Sequence, residues 1–285
     1  MSTEFYYLLI NLVCNLSLTD DEFKPYFFEA YNSINGTMPQ EFMDGRKLKI
    51  LKLNNNEIIG PVPAGIGGFY NLVELDLSNN KLTGSLPSAL GDLISLQSLK
   101  LNSNKIQYGL PPDLAYLNDL RVLEITNNGI ESIPKEMFYL NNLELLNLSF
   151  NHIVGSLPTE IGRLTSLVKL DFSHNQMSDE IPLDVSFLTA LEYLYLNDNL
   201  FDGNIPSELS SLFLLRELDI SNNKFFGSMN EQFCGKRPDW GNPIERYKAD
   251  CLGGDIQFLC ATECCDLENH CCFTSDEDCV MHDGN

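Results

Sequence analysis

The sequence predicts an α/β solenoid, in which short parallel strands are joined by tight crossovers and wound right-handed, coil upon coil. Three observations predict it. An asparagine recurs at Asn32, Asn56, Asn80, Asn104, Asn128, Asn151, Asn175, Asn199 and Asn223, with every step 24 residues except one of 23. Before each of the last eight, an aliphatic residue or Phe stands 8, 5 and 3 positions earlier, as Leu72, Leu75 and Leu77 do before Asn80. After the asparagine, three coils carry Gly-x-(Leu/Ile)-Pro, "GSLP" at 84–87 and 155–158 and "GNIP" at 203–206. A single domain of alternating helices and strands does not keep such a period.

Each element has a physical reason. Residues such as Leu75 and Leu77 alternate with polar ones, so they form a strand with an inward apolar edge that stacks on the coils above and below. The chain then turns away sharply, and the turn leaves backbone N–H and C=O groups inside the coil, where they need partners. Asparagine carries a donor amide and an acceptor carbonyl on a short arm. One per coil can therefore bridge neighbouring turns, and Asn56, Asn80, Asn104, Asn128, Asn151, Asn175, Asn199 and Asn223 are read as a buried hydrogen-bond ladder.

The L-x-x-L-x-L-x-x-N pattern is that of a leucine-rich repeat. With G-x-(I/L)-P after it, as in "NKLTGSLPSALGDL", "NHIVGSLPTEIGRL" and "NLFDGNIPSELSSL", the chain resembles the plant-type leucine-rich repeat family of extracellular receptors and enzyme inhibitors. The resemblance covers roughly residues 27 to 229. It implies a curved parallel sheet on the concave face of the solenoid, and function on that face. Departures are local. Asn128 is followed by "GIESIPKEMF", one residue short and without the glycine, while Tyr108 and Asp179 stand in the glycine position of two other coils. Those coils are expected to lose the small second strand that the family forms there.

Three segments result. Residues 1–26 are an N-terminal segment, an atypical signal or capping residues: "MSTEFYYLLINLVCNLSL" has Glu4 where a basic residue is expected, Asn11 inside the apolar run and no small-residue cleavage site. Residues 27–230 are the array, about eight full repeats after a degenerate first coil that has Lys24 and Glu29 where apolar residues belong. Residues 231–285 are an acidic cysteine-rich cap, with nine Asp or Glu and no Lys or Arg from Ala249 onward.

The cap holds Cys234, Cys251, Cys260, Cys264, Cys265, Cys271, Cys272 and Cys279. An even number in a short loop-rich stretch reads as a disulfide framework, because so small a segment cannot hold itself by apolar burial. Zinc is the rival, with His270 close to four of these cysteines, but paired C-x2-C arms are missing. The run from "FCGKRPDW" to "CATECCDLENHCC" resembles the cysteine-rich cap of diatom leucine-rich repeat proteins. "CCDLENHCC" is also similar to the paired-cysteine step of granulin modules, without the proline that follows there. Trp240 reads as a ring packed over the last coil.

Composition excludes several classes. A formal charge of −22 argues against nucleic acid, whose backbone it would repel. No run of 18 apolar residues offers a membrane span, and the kinase elements are absent. His152 and His174 have no nucleophile in a recognisable arrangement, so no enzyme, cofactor or metal is expected. Sequons at Asn15, Asn35 and Asn147, together with the cap, point to a secreted or cell-surface glycoprotein.

Binding is therefore sought in the outward columns of the strands. Four positions before the ladder asparagine stand Lys52, Asp76, Lys100 and Glu124, alternating in sign so that neighbours pair laterally, and then Asn147, Asp171, Tyr195 and Asp219. Tyr193 and Tyr195 share one strand, flanked by Lys169 and Asp171 and by Glu217 and Asp219. These six residues form the predicted recognition patch, with the carboxylates taken as uncompensated and open to a basic partner. The reading is a non-catalytic receptor-like module for a protein, peptide or glycan ligand. The alternatives are an inhibitor of a secreted hydrolase, similar to polygalacturonase inhibitors, and an ice- or wall-adsorbing protein. The last rests on an outward polar row of Asn54, Ser78, Asn102, Thr126, Ser149, Ser173, Asn197 and Ser221.

Overall fold

The computed structural model describes residues 26–28, 30–38 and 47–226, and the backbone of the strands Ser228–Met229, Arg246–Asp250, Gln257–Phe258, Glu263–Cys265 and Cys271–Cys272. The chain divides into two compact units, Met1–His152 and Ile153–Asn285.

In the first unit the strands Tyr26–Phe28, Ile50–Lys52, Glu74–Asp76, Ser98–Lys100, Val122–Glu124 and Leu145–Asn147 lie parallel, each in register with the next. They are three residues long. The middle residue points into the coil, so Leu51, Leu75, Leu99, Leu123 and Leu146 are buried, and its two neighbours face outward. Across the core run the 3-10 turns Ala64–Gly68, Ser88–Asp92, Pro112–Tyr116 and Lys135–Tyr139. Each follows a proline in extended conformation, which fixes the entry, and each buries an aliphatic side chain: Ile66, Leu90, Leu114 and Met137. Five residues suit a 3-10 turn better than an α-helix, which needs more length to repay nucleation.

The second unit repeats the plan. Lys169–Asp171, Tyr193–Tyr195 and Glu217–Asp219 pair in parallel, with the turns Thr159–Arg163, Leu183–Phe187 and Ser207–Ser211 opposite. The ladder of strands continues beyond the repeats. Arg246–Asp250 lies parallel to Glu217–Asp219, Glu263–Cys265 lies parallel to it, and Cys271–Cys272 closes antiparallel.

The asparagine column is bonded between coils throughout the described residues. Asn80 donates from Nδ2 to Leu53 O at 2.9 Å and Leu77 O at 3.1 Å, and its Oδ1 accepts the N–H of Ile58 at 3.0 Å. The same acceptor bond, 3.0 or 3.1 Å long, joins Asn56 to Ile34, Asn104 to Leu82, Asn128 to Ile106, Asn151 to Ile130, Asn175 to Ile153, Asn199 to Met177 and Asn223 to Phe201. Asn32, at the start of the described coils, is exposed and donates to Ala30 O at 3.2 Å.

One expectation fails. The coils with Tyr108 and Asp179 keep their second strands. Lys105–Gly109 pairs with Lys81–Gly84 and with Gly129–Ser132, the strand of the coil that lacks the glycine. Gln176–Asp179 pairs with Val154–Gly155 and Leu200–Phe201. Tyr108 and Asp179 take up the left-handed backbone themselves, with φ of 71° and 66°, where Gly60 and Gly84 have 78°. A non-glycine residue there costs about 1–2 kcal/mol, less than the strand bonds on both sides that it preserves.

Candidate functional site

The six residues of the predicted patch come together on three adjacent strands of the second unit. Lys169 is opposite Tyr193, which is opposite Glu217, and Asp171 is opposite Tyr195, which is opposite Asp219. Period-two geometry puts all six on the outward side of the strands, because Leu170, Leu194 and Leu218 between them are buried, although Asp171 is itself buried among its neighbours. Side by side in parallel strands, they form one continuous surface.

Their electrostatics differ from the sequence reading, which left the carboxylates without partners. Tyr195 donates its hydroxyl to Glu217 Oε2 at 2.6 Å, and Lys169 Nζ lies 5.1 Å from the centre of the Tyr195 ring. Lys169 also reaches Asp171 Oδ2 at 3.8 Å. Asp171 Oδ1 accepts from the N–H and hydroxyl of Ser173 at 3.2 and 2.7 Å, and Asp219 Oδ1 accepts from Ser221 at 3.2 and 2.6 Å. Burial, then the hydrogen bond and charge of Glu217, push the Tyr195 phenol well above its ordinary range. Tyr195 is thus pinned, whereas the Tyr193 hydroxyl has no hydrogen bond among the described residues. The next strand brings Arg246 into register with Glu217 and Lys248 with Asp219. These two positions escaped the sequence reading because they lie beyond the last repeat asparagine.

The Asp171–Ser173 and Asp219–Ser221 bonds are two cases of a motif. Ser78 N donates to Asp76 Oδ1 at 2.9 Å, and Ser149 donates from N and Oγ to Asn147 Oδ1 at 3.1 and 2.8 Å. Wherever Asp or Asn stands four before the ladder residue, Ser stands two before it and turns back to close the strand end. The Asn147 sequon is one of these turns. It also corrects the proposed outward polar row, since Ser78, Ser149, Ser173 and Ser221 are buried.

In the first unit the expected pairing within the outward column holds for Lys100 and Glu124, whereas Lys52 turns to Glu74 in the other outward column and Asp76 accepts from Ser78. Lys52 reaches Glu74 at 2.7 Å and Lys100 reaches Glu124 at 3.0 Å. Of the sequons, Asn35 is exposed at the start of the strand Asn35–Thr37, and Asn15 lies outside the described residues. So do Cys234, Cys251, Cys260, Cys279, His270 and Trp240, while backbone register sets Cys264 opposite Cys272 and Cys265 opposite Cys271. His152 Nδ1 is 3.1 Å from Asn151 O, and His174 Nε2 is 3.4 Å from Asp198 Oδ2. Among the described residues no group of three or more His, Cys, Asp or Glu is placed to hold a metal, and no helix is long and apolar enough to cross a membrane.

Comparison with known proteins agrees with this architecture. Residues 46–106 match a family model described as leucine rich repeat, and residues 110–236 match one described as leucine-rich repeat region. No curated protein matches the sequence at a significant level. Among solved structures, that of PEPR1–AtPEP1 is 28% identical with a TM-score of 0.73, covering 82% of this chain and 32% of that one. The Arabidopsis receptor kinase HAESA, in complex with the peptide hormone IDA and the co-receptor SERK1, is 27% identical with a TM-score of 0.69, covering 82% of this chain and 38% of that one. A plant ice-binding protein is 26% identical with a TM-score of 0.67, covering 84% and 76%. The chain thus spans about a third of the length of these PEPR1 and HAESA chains. The chain carries leucine-rich repeats over residues 46–106 and 110–236, and its described coils have the leucine-rich repeat solenoid fold.

Proposed function

We propose that the chain is a non-catalytic ligand-recognition module working outside the cell, and that Lys169, Asp171, Tyr193, Tyr195, Glu217 and Asp219 are its contact surface. The observation that carries this reading is the pair of tyrosines on one strand. Tyr195 is locked by Glu217, while the hydroxyl of Tyr193 beside it has no hydrogen bond among the described residues. A rigid aromatic anchor next to an adaptable polar group is what a contact centre uses. The likeness to ectodomains such as that of HAESA, whose structure holds a peptide hormone, supports a peptide as the ligand class. Because Asp171, Glu217 and Asp219 each have a partner already, a basic ligand group would compete with or add to the donors they hold.

Selection of a displayed random-peptide library on the secreted protein tests this. Selected peptides are expected to lose at least tenfold in affinity against Tyr193→Ala and against Asp219→Ala. Peptides that bind both variants like the parent would place the contact surface elsewhere.

A hydrolase inhibitor is the second reading, and a panel of secreted polysaccharide hydrolases separates the two. Adsorption to ice has the ice-binding neighbour in its favour, but the buried serines deny it a uniform outward row. The cap disulfides and export are tested together by intact mass after alkylation, before and after reduction. Eight thiols protected until reduction support both.

A further inference from the structure

A second aromatic surface lies on the strand Tyr26–Phe28, in the first unit, and the six-residue patch does not include it. Tyr26 and Phe28 are 49% and 56% exposed, two residues apart on the outward face, while Phe27 between them is half-buried. Their rings are nearly parallel, with centroids 6.3 Å apart and planes at 20°. Lys52 holds one of them. Its Nζ lies 5.8 Å from the centre of the Phe28 ring and is itself fixed by Glu74 at 2.7 Å. In the same coil Tyr31 is 81% exposed and is kept in a left-handed backbone conformation, φ 58°, by the bond from its N–H to Asn54 O. Three large aromatics presented to water by one coil form an uncommon concentration of apolar surface.

We propose that Tyr26 and Phe28 form a binding shelf for a neutral glycan chain. The two exposed rings offer π faces to water, and these suit the face of a pyranose ring, whose polarised C–H bonds meet the negative π face. A protein hot spot would instead fill a well-packed cavity. Beyond the shelf, register brings Ile50 and Lys52 and then Glu74 and Asp76 to the same face. Glu74 uses one oxygen on Lys52, and Asp76 uses Oδ1 on Ser78. The second oxygen of each is an acceptor suited to sugar hydroxyls. Formal charge decides the glycan class: at −22 the chain repels anionic polymers such as polygalacturonate, and a neutral glucan carries no such penalty.

The test is native electrophoresis of the full chain through gels holding hydroxyethylcellulose or a soluble β-1,3-glucan, with polygalacturonate gels alongside. The acidic protein migrates by its own charge, and a neutral polymer slows it only by binding. At least a twofold drop in mobility is expected in one neutral-glucan gel. Tyr26→Ala and Phe28→Ala should restore free migration, Phe28→Trp should keep the retardation, and so should Tyr193→Ala. Unchanged thermal midpoints show that the variants are folded. Free migration of the parent in both neutral gels overturns the proposal, as does retardation that survives the double alanine variant. Loss of retardation in Tyr193→Ala would place glycan binding on the other patch, and retardation in polygalacturonate alone would replace stacking with charge. Either result also overturns the shelf. The peptide selection above bears only on the tyrosine patch, so the two readings fail separately.

Discussion

The hydroxyl of Tyr195 donates to Oε2 of Glu217 at 2.6 Å, although the residue directly across from Tyr195 is Asp219. The bond is diagonal. It runs from one outward position of a strand to the other outward position of the next, within reach of a tyrosine side chain. Asp219 is meanwhile turned toward Ser221. Each outward carboxylate in this region thus has its own donor, which makes the surface rigid before any ligand arrives.

That bond predicts an alkaline effect. The folded protein holds the Tyr195 proton above the ordinary phenol value of about 10, because burial and Glu217 both disfavour the phenolate. The unfolded chain gives up that proton first, so the contribution is fully present below about pH 10 and is lost as pH rises further. Phenolate absorbance titrated up to the unfolding pH is expected to be the same for Tyr195→Phe as for the parent. A smaller amplitude in the variant would show that Tyr195 ionises normally.

The ladder predicts a steep cost at one residue. Asn199 donates to Phe172 O at 2.8 Å and Leu196 O at 3.1 Å, and accepts from Met177 N at 3.0 Å. Asn199→Ala should lower unfolding free energy by about 3 kcal/mol, since each buried group left without a partner costs about 1–3 kcal/mol. Ser173→Ala, which loses one side-chain bond, should cost about 1 kcal/mol. Urea unfolding of both variants measures the ratio, and equal losses would refute the ladder as the stronger term.

Two glycines separate crowding from backbone strain. A Cβ on Gly91 would collide with the backbone of Asp113 in the next coil, and one on Gly67 would lie 2.8 Å from Ala89 O. Gly91→Ala is expected to destabilise by about 1–3 kcal/mol as the turns are forced apart. Gly155→Ala meets nothing within 4 Å and should lose only about 1 kcal/mol, from its φ of +88°. Thermal midpoints in the opposite order would mean that the coils have room to shift.

Tyr108 offers the reverse experiment. It is exposed and left-handed, so Tyr108→Asn should raise stability by a few tenths to about 1 kcal/mol. Tyr108→Val should lower it by about 1 kcal/mol or more, because a β-branched side chain tolerates that conformation poorly. Loss of stability in the asparagine variant would show that the ring makes a contact worth more than the strain.

The repeat itself was legible in the sequence because its causes are local and recur. Leucines at fixed offsets must face inward, one asparagine must serve each turn, and a proline must start each crossover. The same holds for the closeness of the six patch residues, since a 24-residue step sets Lys169 beside Tyr193 and Glu217 without any knowledge of coordinates. The Asp-x-Ser turns were equally visible, at Asp76–Ser78, Asp171–Ser173 and Asp219–Ser221, though only the bonds explain why the two residues occur together.

Tertiary structure decided what each side chain does once it is there. Tyr108 and Asp179 look like defects in the glycine column, yet strands on both sides impose the left-handed backbone on them, because the bonds kept outweigh the strain. Whether Tyr195 meets Asp219 or Glu217 depends on a diagonal reach that sequence spacing does not encode. Tyr26 and Phe28 lie in a coil with polar residues in core positions, Lys24 and Glu29, and only pairing with Ile50–Lys52 shows that they extend the sheet. Inward positions obey a rule shared by every coil, while outward positions answer only to their immediate neighbours. The period therefore determined the core from sequence alone, and the chemistry of the face had to wait for three dimensions.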